Sequence, residues 1–145
     1  MSYKNENMKM IELHENGLDI RFRIRENGVV ELADFSSQEV KKAVMEPKED
    51  ICYPAVEIHR SGTGSLNMHA YKNNINQSSV DFVYENHELK EQDGGKELEI
   101  VMVSPEKLKA VYHMRLFDGV PAVQTWTEII NEGSEDQGLT YVSSF

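Results

Sequence analysis

The chain has 145 residues, of which 39% are apolar and 28% charged, and a net charge of −10. That length suits one domain, able to bury about two thirds of its unfolded surface, and the composition is that of a folding chain instead of a disordered one. The acidity argues against partners built on phosphate, both nucleic acid and anionic membrane surfaces.

Cys52 is the sole cysteine, so no disulfide forms within the chain, which fits a reducing compartment. The opening "MSYKNENMKM" lacks an apolar core of the signal-peptide kind, and residues 1–8 read as a flexible tail. The longest aliphatic run, "IVMV" at 100–103, is far short of a membrane span. Asn76 opens a formal glycosylation acceptor, expected to be idle without secretion. A cytoplasmic protein is expected.

Three antiparallel strands are predicted near 9–14, 18–25 and 29–35. Asn16-Gly17 and Asn27-Gly28 mark the hairpin turns, because Asn-Gly tolerates positive φ at both turn positions. Leu18, Ile20, Phe22 and Ile24 alternate with Asp19, Arg21, Arg23 and Arg25, a period of two that splits apolar and charged side chains between two faces. The polar stretch 36–50 is either a loop or a short helix capped by Ser36 or Ser37 and ended before Pro47. "YPAVEIHRS" then reads as a short strand, and 61–79 as a long Gly-, Ser- and Asn-rich loop.

Alternation resumes at Val80, Phe82 and Tyr84. After a turn at Asp93-Gly94-Gly95 it continues through Leu98, Ile100 and Met102. The next strand sets Leu108, Ala110, Tyr112, Met114 and Leu116 against Lys109, Val111, His113, Arg115 and Phe117. Asp118-Gly119 turns the chain. The strand that follows puts Val123, Thr125, Thr127 and Ile129 on one face, and Ala122, Gln124, Trp126, Glu128 and Ile130 on the other. A polar loop over 131–138 leads to a last strand in "LTYVSSF". Many short strands with little helix predict an all-β protein, an antiparallel β-sandwich of one domain over 1–145.

No chemistry stands out. His14, His59, His69, His87 and His113 include no pair at metal-binding spacing, and one cysteine cannot supply a thiolate cluster. Gly62-Thr63-Gly64-Ser65 has neither the lysine nor the helix of a phosphate loop. Ser61, Ser143 and Ser144 lack a nucleophile elbow, and Cys52 shows no activating neighbour. The 25 acidic residues select no glycosidase pair. Trp126, the sole tryptophan, has two readings: a platform for a sugar ring, or core packing. The bias of large aromatics toward burial favours the core.

The stretch 95–145 resembles the N-terminal domain of the α-galactosidases of glycoside hydrolase family 36. The matches run in order: Leu98-Glu99-Ile100, Phe117-Asp118-Gly119, Trp126-Thr127-Glu128, Asn131-Glu132-Gly133, and Leu139 with Tyr141-Val142-Ser143-Ser144-Phe145. The likeness extends more weakly from 51 and only loosely into the first hairpins. It implies part of a galactose-mutarotase-like β-supersandwich, from an enzyme that hydrolyses α-galactosides with retention. Family members continue into a (β/α)8 barrel carrying a Lys-Trp-Asp nucleophile motif, and that motif does not occur here. The resemblance therefore implies a non-catalytic domain or fragment. It assigns no catalytic residue, cofactor or metal ligand, and leaves the sugar unspecified. Partners implied are the rest of the galactosidase, a carbohydrate, or a second copy meeting through the C-terminal strands, where a half-built supersandwich would leave edges open. A free-standing carbohydrate-binding module is an alternative, as is an aldose-epimerase-like enzyme. The latter would need a histidine such as His69 or His113 converging with Glu128 in a cleft.

Overall fold

The computed structural model describes residues 9–37, 53–63 and 77–144. The expected tail at 1–8, Cys52, His69, Asn76, Phe145 and most of the 36–50 and 61–79 segments lie outside them. The described residues form an all-β, sandwich-like fold. Strands β1 (Lys9–Glu15), β2 (Leu18–Ile24) and β3 (Val30–Ser37) make one antiparallel sheet in sequence order. Strands β5 (Val83–Gln92), β6 (Gly95–Val103), β7 (Leu108–Phe117) and β8 (Val120–Asn131) make the second. Short strands β4 (Ile58–Arg60) and β9 (Leu139–Val142) pair with each other.

The core lies between the two larger sheets, and period-two alternation fills it. Leu18, Ile20, Phe22 and Ile24 face inward from β2, and the intervening Asp19, Arg21 and Arg23 are only partly covered. From the other sheet come Leu98, Ile100 and Met102, and Leu108, Ala110, Tyr112, Met114 and Leu116. Phe22 and Tyr112 meet edge to face at the centre, 5.6 Å between rings, an arrangement the ring quadrupoles favour. Polar ties fix the sheets at both ends. Asn16 donates to the Phe117 carbonyl and accepts from the Gly119 amide. At the opposite end the Tyr84 amide donates to the Gly28 carbonyl.

Turn chemistry explains the registers. Asn16 (φ 51°) and Gly17 (φ 82°) both take positive φ, so β1–β2 closes with the expected two-residue turn. The second Asn-Gly differs: only Gly28 is positive, φ 84°. There the Gly28 amide donates to the Arg25 carbonyl and the Arg25 amide to Val29, a longer turn that ends in a left-handed glycine. Between β7 and β8 the ladder shifts: Phe117 pairs with Val120, but Leu116 pairs with Val123. Pro121 and Ala122 are left over, and Pro121 has no N–H to give the ladder.

The region before β5 departs from expectation. Val80 ends a one-turn helix, α1 (Gln77–Val80), and does not begin a strand. Buried Ser78 and Ser79 turn their hydroxyls onto β4: the Ile58 amide donates to Ser79 and the Arg60 amide to Ser78. The free edge of β4 is thereby satisfied on the side away from β9. Ser36 and Ser37 finish β3, and the helix that either was expected to cap would lie outside the described residues.

Candidate functional site

Two places where alternation fails on the second sheet mark an unusual part of the molecule. On the outward face of the second sheet, Glu97 of β6 and His113 of β7 are buried, each 7% exposed, although Glu99 and Val101 of β6 and Val111 and Arg115 of β7 on that face are partly open. Register brings a polar row together: Glu88, Glu99, His113 and Trp126 stand side by side across β5 to β8. One step along, Lys90, Glu97, Arg115 and Gln124 form a parallel row.

His113 is the centre of this group. Its Nδ1 lies 2.9 Å from Glu97 Oε1 and 3.9 Å from Glu99 Oε1. Its Nε2 is buried without a hydrogen-bond partner among the described residues, 3.8 Å from Glu128 Oε1. Trp126 lies flat on the imidazole, ring centres 4.7 Å apart and planes 5° from parallel. The second oxygen of each inner carboxylate is held: Gln92 donates to Glu97 Oε2 and Lys90 to Glu99 Oε2, both at 2.6 Å. One nitrogen and two oxygens thus converge, with a ligand atom from each of Glu97, Glu99 and His113 within 4.8 Å of the others.

Trp126 is therefore not a core residue. It sits half-buried on the outward face, because the shifted β7–β8 register stacks it on His113 while Thr125 and Thr127 take the inward positions. The described aromatic partner of its ring is an imidazole, and among the described residues no further aromatic ring stacks on it. Of the residues considered for an epimerase, the structure does bring His113 and Glu128 together. They lie on an open sheet face, too close for a sugar to enter between them. A polar depression of ≈ 520 Å³ lies elsewhere, bounded by Glu106, Lys107, Glu132 and Ser134.

The remaining candidates are dispersed. His14 pairs with Asp19 at 2.6 Å on the first sheet. His59 pairs with Glu57 at 2.7 Å and tilts against Tyr141. His87 Nδ1 shares a hydrogen bond with the Tyr84 hydroxyl, which accepts from Lys9. Burial and then the nearby Lys9 charge hold His87 below the usual imidazole pKa, which favours the neutral ring. Ser143 ties the chain's end to Glu57 through both backbone and hydroxyl. Arg60, on β4, is buried between Asp81 (3.1 Å) and Glu106 (2.8 Å) and locks α1 and the β6–β7 turn together.

No protein-family model matches the chain, and no curated protein matches it either. Solved structures do. A substituted form of the GH36 α-galactosidase AgaA from Geobacillus stearothermophilus, in complex with raffinose, aligns with a TM-score of 0.55 and 11% identity over 86% of this chain. A second structure of AgaA aligns at 0.53 and 14% identity over 88% of it. The chain spans 22% and 23% of those chains. At such identity the likeness is one of fold: this chain has a GH36-like β-fold.

Proposed function

We propose that the chain is a non-catalytic β-domain of the α-galactosidase type, equivalent to the N-terminal part of a galactose-mutarotase-like supersandwich and held in the cytoplasm. The observation that carries this reading is the extent of the fold likeness: nearly all of this chain aligns within less than a quarter of the enzyme. The chemistry agrees. A retaining glycosidase sets two carboxyls on opposite sides of the scissile bond, about 5–5.5 Å apart. Glu97 and Glu99 stand side by side on one strand, tied to Gln92, Lys90 and His113, and no sugar fits between them. The domain's work is then architectural, with the rest of a galactosidase, carrying the barrel and acting on α-galactosides, as its partner.

The carbohydrate-binding alternative rests on the half-exposed Trp126. One face of its indole is already taken by His113, which leaves at most a single stacking surface. Titrating the protein with melibiose and raffinose while following Trp126 emission separates the two. The scaffold reading expects no saturable change. A saturable change lost in Gln124→Ala, with the melting curve intact, would establish a sugar site.

A further inference from the structure

We propose that Glu97, Glu99 and His113 form a binding site for a first-row divalent cation of the zinc type, with Trp126 as its lid. This runs against the sequence-based expectation of no metal and is independent of the proposed scaffold role. Three observations carry it. First, the donor geometry is close to what a metal needs. Ligands bonded at about 2.1 Å in a tetrahedron stand about 3.4 Å from one another, and the 2.9 and 3.9 Å separations around His113 Nδ1 straddle that value. Second, the carboxylates are pre-aimed. Gln92 and Lys90 each hold an Oε2 atom, which leaves both Oε1 atoms toward the same ring nitrogen. One imidazole nitrogen has a single N–H and satisfies only one of them well. A cation in its place would serve both.

Third, the burial and the unpaired nitrogen fit. Glu97 is 7% exposed, yet among the described residues no lysine or arginine pairs with it at ion-pair distance. A buried carboxylate without a cation is costly. The His113 ring is equally buried, with Nε2 unpartnered. While Nδ1 carries the proton toward Glu97, Nε2 holds a lone pair and has nothing to offer Glu128. With a cation on Nδ1, the neutral ring's one proton moves to Nε2, and exposed Glu128, now 3.8 Å away, closes to accept it. That is the carboxylate–histidine–metal relay that fixes ligand tautomers in metal sites. An imidazole ligand selects zinc-like ions over magnesium or calcium, and solvent or a further side chain completes the coordination. Lys90 and Arg115 flank the group. Lys90 is bound to the outer oxygen of Glu99, and Arg115 donates to the Asp93 carbonyl, so neither blocks the converging atoms.

Trp126 supplies the test, because it is the sole tryptophan and lies on the ligand ring. The untagged full chain, stripped with EDTA, is titrated with Co²⁺ while tryptophan emission is followed. The expected result is saturable quenching, reversed by Zn²⁺, absent in Glu97→Gln and Glu99→Gln, and weakened about 10–100-fold in affinity by Glu128→Gln. Far-UV circular dichroism checks that the variants fold. Quenching that grows linearly without saturation in the unsubstituted chain overturns the proposal whatever the variants do. So does saturable quenching that persists in both glutamine variants.

Discussion

Replacing Tyr112 by phenylalanine should make the protein more stable, an unusual sign for a substitution at the centre of a core. Tyr112 is 1% exposed, and its hydroxyl has no hydrogen-bond partner among the described residues. A buried polar group without a partner costs about 1–3 kcal/mol relative to water. Phenylalanine keeps the ring and therefore the edge-to-face contact with Phe22. Against the gain stands a void the size of one oxygen, worth about 0.3 kcal/mol at roughly 24 cal/mol per Å³. The net expectation is about 1–2 kcal/mol of stabilisation, which at this chain length raises Tm by about 2–6 °C. Urea unfolding should show a higher midpoint with an unchanged slope, the mark of altered stability without altered compactness. The alkaline limb gives a second reading. Burial pushes the Tyr112 hydroxyl far above its ordinary range, so the folded state keeps its proton where the unfolded chain, at about pH 10, releases it. The stability this contributes is present below pH 10 and is lost as pH rises beyond it; Tyr112→Phe should flatten that fall. Destabilisation by 1 kcal/mol or more at neutral pH would refute the reasoning, since it would mean the hydroxyl has a partner worth keeping.

Trp126→Ala should cost about 2 kcal/mol, from a lost aromatic stack and partial apolar burial, and not the 3–5 kcal/mol of a core tryptophan; chemical denaturation reads the difference, and a loss above 4 kcal/mol would return Trp126 to the core. Lys107 turns the β6–β7 connection with φ 65°, a left-handed conformation costing a non-glycine residue about 1–2 kcal/mol. Lys107→Gly should therefore stabilise by about 0.5–1 kcal/mol after glycine's extra chain entropy is charged, and a lower melting temperature would show that the lysine side chain contributes more than its backbone costs. Self-association is expected through exposed Ile130, Leu139 and Tyr141 near the chain's end. Strand β9 already pairs with β4, so side chains rather than an open edge would make the contact; sedimentation that stays monomeric at high concentration contradicts it.

Much of the fold was legible because the core obeys a period of two. The inward sets of β2, β6 and β7 are the apolar sets read from the sequence, and Asn16-Gly17 turned as its chemistry requires. Alternation also set His113 opposite the apolar set of its strand and put Trp126 and Glu128 on one face of theirs, without saying which face of that strand was inward. Their meeting did not follow from it. A simple hairpin closed at Asp118-Gly119 pairs His113 with Gln124; Pro121 shifts the ladder and puts Trp126 there instead. The bias of tryptophan toward burial then favoured the wrong face. Helix α1 was missed because one turn leaves no periodicity to read, and its reason, two serine hydroxyls capping the edge of β4, is a tertiary one. Glu97 and Glu99 looked like ordinary strand carboxylates among 25 acidic residues, and only the register with His113 sets them apart.

The central claim, a β-domain that carries fold and not catalysis, is tested most directly by incubating the purified chain at high concentration with an aryl α-galactoside. The account predicts release of the aryl alcohol no faster than in buffer. Release that survives repurification and disappears in Glu97→Gln or Glu128→Gln would contradict it, because the outward face would then be an active site.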